Sequence, residues 1–185
     1  MSANYLALRA VAFRSEYFMR IIFKTILFVA FAIHLSADEH SRQGLVYSDG
    51  WGVPQEYTEA VRWYRLAVEQ GYGGATAKFN LGNMYRDGHG ATLDYEKAIK
   101  WYRLAAEQGH TEAQSNLGVM YALGNGVLQD NVLAYQWFSL AAADGNELGS
   151  KNRNIIAKRM TASESKKAQA MARKCMNSDY QDCGY

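Results

Sequence analysis

Apolar positions in the middle of the chain recur with the period of helices rather than of strands. The phrase LGxMY stands at Leu81 to Tyr85 and again at Leu117 to Tyr121, 36 residues later. Between the two copies the pattern predicts helices over 81–86 and 94–108, separated by a glycine loop at 87–90 and closed by Gly109. One unit is therefore a helix hairpin. A period of this length marks an array whose units bury their apolar faces only by stacking on neighbours.

A second periodic signal runs along the later helix of each unit. The pairs Trp63-Tyr64, Trp101-Tyr102 and Trp137-Phe138 are separated by 38 and 36 residues. Alanine stands three residues before each tryptophan (Ala60, Ala98, Ala134) and four after it (Ala67, Ala105, Ala141). Spacings of three and four share one helix face, so the expected core stripe is alanine with tryptophan filling the space beside it. Trp63, Trp101 and Trp137 are accordingly expected inside, together with Leu81, Tyr85, Leu117 and Tyr121 of the first helices. Their fixed register argues for packing in every unit rather than for a ligand cage, which requires convergence in one place.

Boundaries recur too. Glu56, Asp94 and Asp130 precede the later helices; the two aspartates are expected N-caps, whereas Glu56 only favours the helix dipole. Gly71, Gly109 and Gly145 close those helices, and the loops DGWG, DGHG and LGNG carry glycines two apart, as tight reversals require. No Lys-Ser/Thr follows these glycines and no strand pattern precedes them, which removes a phosphate-cradling reading.

Composition agrees with this picture. The 185-residue chain is 49% apolar and 13% aromatic, enough to fold, and has one proline against 16 glycines. The class predicted is all-α. The net charge of +2 conceals an uneven distribution. Residues 38–150 carry eight basic and fourteen acidic side chains, and 151–174 carry eight and one. No basic stripe runs along the repeats, so nucleic acid is not an expected partner.

The segment from Met19 has two positive charges, an apolar run over 25–35, then Ser36 and Ala37 before Asp38 and Glu39. This is the order of a secretory signal peptide over 1–37, with Met19 as an alternative start and Ala32 as an alternative cut. The run is well short of the roughly 20 residues that span a bilayer, so an uncleaved anchor is the lesser alternative and no stable span is expected after cleavage. A periplasmic or secreted location follows. Cys175 and Cys183 form an even, closely spaced pair, which in an exported chain favours a disulfide over two free thiols.

The stretches LGVMYALGNGVLQDNVLAYQWFSLAAADG from Leu117 and LGNMYRDGHGATLDYEKAIKWYRLAAEQGHTEA from Leu81 resemble the Sel-1-like repeat family, a relative of tetratricopeptide repeats. The likeness covers about residues 44–145. It implies a right-handed α-α superhelix of antiparallel helix pairs that serves as a protein-interaction scaffold, without catalysis and without a cofactor. The expected organisation is repeats over 38–145, comprising 38–71 (degenerate), 72–109 and 110–145, then capping helices and a tail over 146–185. In the first unit Glu39 and Gln43 replace the apolar residues equivalent to Ala77 and Leu81, predicting a short or frayed polar opening helix from about 38 to 47. At the other end, Leu148, Ile155, Ile156 and Met160 are expected to continue the core. Thr161 and Glu164 form a capping box for a last helix with Ala168, Met171 and Ala172 inward.

Candidate chemistry is sparse. His34, His40, His89 and His110 lack a second histidine or cysteine at metal-ligand spacing and are read as leader or exposed turn residues. No GxSxG nucleophile motif occurs. A cysteine-rich branch of the family is associated with penicillin binding and β-lactam hydrolysis, but these repeats contain no cysteine. Binding is therefore expected at positions that packing leaves free. In tetratricopeptide-like arrays the first helices line the concave groove, which nominates Asn80, Asn83, Arg86, Gln114 and Asn116 for a protein or peptide partner. Bonds within the helix hairpins are the competing role for Asn80 and Asn116. An adaptor is the first functional expectation, and an immunity or inhibitor protein against a secreted toxin is the second.

Overall fold

A computed structural model of the chain describes residues 39–71 and 73–184; the leader expected over 1–37 lies outside them. The described residues form eight helices and no strand. They are α1 over 39–49, α2 (Tyr57–Glu69), α3 (Gly74–Asp87), α4 (Tyr95–Ala106), α5 (Thr111–Leu123), α6 (Asn131–Ala143), α7 (Glu147–Ala157) and α8 (Ala162–Asn177). From α2 onward to α7 each helix packs on the next, and α6 also packs on α8. This is the expected all-α repeat solenoid. No helix among the described residues is long and apolar enough to cross a membrane.

The hairpin turn is built identically three times. The backbone N–H of Glu56, Asp94 and Asp130 donates to the carbonyl of Tyr47, Tyr85 and Tyr121 at 2.9, 2.8 and 2.9 Å. Asp94 then accepts from the Lys97 N–H, and Asp130 from those of Val132 and Leu133. Glu56, one methylene longer, makes no side-chain cap bond. In the second and third loops the second glycine reaches the preceding unit, whereas Gly52 of the first loop faces open space. A Cβ at Gly90 would stand 2.1 Å from the Tyr57 carbonyl oxygen, and one at Gly126 would stand 2.7 Å from Tyr95. With φ near 70° at both positions, only glycine satisfies the turn and the contact together.

Packing within a unit depends on the second aromatic of each pair, which corrects the tryptophan expectation. Tyr64, Tyr102 and Phe138 are at most 1% exposed, whereas Trp63 and Trp101 are half-buried and only Trp137 is fully enclosed. Each buried ring lies across a glycine of the facing first helix: Tyr64 on Gly44, Tyr102 on Gly82, Phe138 on Gly118. A Cβ at those glycines would meet the ring at 2.6, 2.7 and 2.6 Å. In all three units the ring follows its glycine by 20 residues. Ala60, Ala98, Ala134, Ala67, Ala105 and Ala141 are fully buried around these rings. Trp63 instead stacks on His40, with ring centroids 5.4 Å apart.

Both ends depart from expectation. The opening helix continues to residue 49, with Glu39 and Gln43 hydrogen-bonded to each other at 2.7 Å. The same ring-on-glycine contact and turn bond occur there as in the later units. In the closing pair Ile156 is buried, but Leu148 is 64% and Ile155 49% exposed, so neither continues the core. Thr161 and Glu164 complete the capping box of α8, where Ala168 and Ala172 face inward and Met171 is partly covered. Cys175 and Cys183 are joined by a disulfide. The tail then folds back on the array: Gln136 Nε2 donates to the Cys183 carbonyl at 2.6 Å, and Tyr180 Oη bonds Asp144 at 2.9 Å.

Candidate functional site

Two side-chain populations share the first helices α3 and α5. Ala77, Leu81 and Tyr85, and their equivalents Ala113, Leu117 and Tyr121, are buried against the second helices. The phenols of Tyr85 and Tyr121 accept from Arg65 and Arg103, which ties each first helix to the second helix of the unit before it. One turn of the helix away runs a partly exposed strip comprising Asn80, Asn83 and Arg86 on α3 and Asn116 and Val119 on α5.

The strip is polar along α3. Asn80 Nδ2 donates to Tyr64 Oη at 3.0 Å, and Tyr102 Oη donates to Asn83 Oδ1 at 2.7 Å. Asn116 Nδ2 donates to the same Asn83 oxygen at 3.4 Å, bridging α5 to α3. Burial pushes the Tyr102 hydroxyl up to about 12, so it remains a donor throughout the physiological range. Arg86 grips its neighbour Asp87 through two bonds of 2.7 and 2.6 Å, and this contact holds the Asp87 carboxyl below its ordinary range. Beside this network a cavity of about 280 Å³ opens between α1, α2 and α3, with Ser48, Asp49, Tyr64, Asn80 and Asn83 among its walls.

At the next unit the same register turns apolar. Where α3 has Asn83, Arg86 and Asp87, α5 has Val119, Ala122 and Leu123, and Phe138 replaces a tyrosine hydroxyl with a bare ring. Leu123 is 63% exposed. Here a cavity of about 200 Å³ is bounded by Val119, Leu123, Phe138, Ile155, Ile156 and Arg159.

The nominated residues thus separate into two sets. Asn80, Asn83, Arg86 and Asn116 lie together along the first helices, and the asparagines also bond between helices. Gln114 does not join them: it is fully buried, with Nε2 directed at the Ala106 carbonyl at 3.4 Å. Its register partner Lys78 is half-buried and bonds Gln108, and the replacement of a charge by an amide is the sequence signal of that burial. The cavity beside α7 is not legible in the sequence, where Ile155 reads as a core position; the structure leaves it 49% exposed at the cavity edge.

The histidines are more than exposed turn residues. His89 stacks on Tyr57 at 4.4 Å, and His110 stacks on Phe79 at 4.5 Å. His110 also caps α5, its Nδ1 accepting from the Ala113 N–H at 3.4 Å. No group of His, Cys, Asp and Glu able to hold a metal occurs among the described residues. Burial lowers the His110 pKa, with Glu112 opposing the shift from 3.3 Å. A depressed folded value means that the unfolded chain binds the proton first. The stability contributed by neutral His110 is present above its unfolded pKa and is lost as the pH falls through the folded value. Acidification through that window is expected to weaken this cap and lower the melting temperature. His110→Asn, which caps without titrating, should lose less; equal pH dependence of the two melting curves would contradict the assignment.

The sequence profile of the Sel1 repeat matches residues 42–72, 75–110 and 111–146. Among solved structures, a protective antigen present in uropathogenic Escherichia coli strains and displaying an SLR fold is 34% identical, with a TM-score of 0.72 over 80% of this chain. A Sel1 repeat protein from Oxalobacter formigenes is also 34% identical, with a TM-score of 0.60 over 64% of this chain. The matched regions span 31% and 47% of those longer chains. No curated protein matches.

Proposed function

The chain belongs to the Sel1 repeat family, whose members are generally protein-interaction scaffolds, and on that premise we propose that it is a non-catalytic exported adaptor binding a protein segment along the first-helix groove. One observation carries this reading. The packing positions of α3 and α5 are the same in both units, and Asn80 and Asn116 match, while the rest of the strip differs: Asn83, Arg86 and Asp87 against Val119, Ala122 and Leu123. A surface that only solvated the array would have no need of an exposed leucine beside a partly exposed valine there. Export is supported by the leader pattern and by a disulfide, a bond that persists in oxidising compartments.

The test is affinity capture from an extract of exported proteins with the tagged chain as bait. One protein retained by the wild type should be lost by Arg86→Glu with Asn116→Ala and kept by Lys100→Glu, a change on the exposed side of α4. Retention by all three baits would place binding outside the groove.

A further inference from the structure

Resting on the groove reading, we infer that the cavity between α5, α6 and α7 receives one large apolar side chain of the partner segment, and that Arg159 at its rim pairs with an Asp or Glu beside that side chain. Three observations converge on this occupant. The floor is built from Val119, Phe138 and Ile156, and the exposed Leu123 and Ile155 stand at the mouth. The volume of about 200 Å³ suits a single leucine or phenylalanine side chain; a dry cavity of roughly 150 Å³ already takes a benzene ring.

Charge supplies the third. Arg159 is exposed and lines this cavity, and no carboxylate lines it or forms an ion pair with Arg159 among the described residues. An apolar pocket with an unmatched cation at its edge discriminates in favour of an acidic amphipathic segment and against a basic one. The pocket is also a product of the C-terminal cap. The matched repeats end at residue 146, and α7, which supplies Ile155 and Ile156, begins at Glu147. The chain therefore reads its partner at the seam where the last repeat meets the closing helix.

The probe is a phage-displayed library of random dodecapeptides selected on the full chain, with the winners resynthesised and measured by fluorescence anisotropy. Selected peptides should share a leucine, isoleucine, methionine or phenylalanine within a few positions of an acidic residue. Their affinity should fall about tenfold or more on Leu123→Asp and on Arg159→Glu. A peptide with lysine in place of its acidic residue should regain binding to Arg159→Glu. Both substituted side chains are exposed, so the variants should melt with the wild type; if Leu123→Asp does not, Ile155→Asp takes its place. Selection of no peptide overturns the inference. Peptides that ignore Leu123→Asp and Arg159→Glu but are lost on Arg86→Glu with Asn116→Ala overturn it while leaving the groove reading intact. Self-association of the wild type that Leu123→Asp abolishes overturns it by assigning the pocket to a second copy.

Discussion

Replacing Phe138 by alanine should lower the unfolding free energy by about 3–5 kcal/mol, among the largest effects expected of a single substitution in the array. The ring is 1% exposed and lies across Gly118, so its removal leaves a cavity bounded by two helices and loses the contact that sets their separation. Tyr102→Ala at the equivalent place should behave alike. Trp101→Ala, next to it in sequence but half-buried, should cost less, about 1–2 kcal/mol. The converse change is informative. Gly118→Ala drives a Cβ to 2.6 Å from the Phe138 ring and should cost about 1–3 kcal/mol by overpacking. In a Phe138→Leu background the added methyl should cost less, because the two sites share one contact. Chemical denaturation of the wild type, Gly118→Ala, Phe138→Leu and the double variant measures this coupling, and strict additivity would mean that ring and glycine do not meet.

Loss of the disulfide should destabilise the closing end by about 2–3 kcal/mol, because a short cross-linked loop has less chain entropy to lose on folding. The bond joins Cys175 at the end of α8 to Cys183, whose carbonyl accepts from the buried Gln136 Nε2. It therefore holds in place a tail that serves α6 as well as α8. Cys183→Ser should lower the melting temperature by roughly 5 °C or more. Amide exchange should accelerate in 178–184 and the last turn of α8, and remain unchanged in α3. Unchanged melting under reductant would show that the tail docks without the bond.

Much of this fold is legible in the sequence because its devices are local. An aspartate four residues before an alanine, a glycine after a helix and two glycines two apart each act within one turn of chain, and the spacing displays them. The choice between Trp63 and Tyr64 is not local. Adjacent residues differ by about 100° around a helix and both border the alanine stripe; only the glycine on the facing helix decides which ring enters. The separation of glycine and ring stays at 20 residues while the repeat length changes from 38 to 36, but the adjacent tryptophan keeps an equally constant 19, so spacing alone does not choose between them.

The docked tail was hidden for a similar reason. Gln136 occupies the register of the exposed Arg62 and Lys100, and the missing charge marks a covered position, but its cover comes from Cys183, 47 residues away. Groove residues are partly legible by elimination, as positions that packing leaves free. The error over Gln114 has the same origin as that over Ile155: hydropathy within one helix does not report which neighbouring element covers it.

Site-specific photocrosslinking tests the groove most directly. A benzoylphenylalanine placed at Asn83 or at Val119 should trap one and the same partner protein in the exported fraction. The same group at Glu96 or Lys100, exposed on α4, should trap none. An adduct formed only from Glu96 or Lys100 would move the binding surface to the second helices and contradict the account.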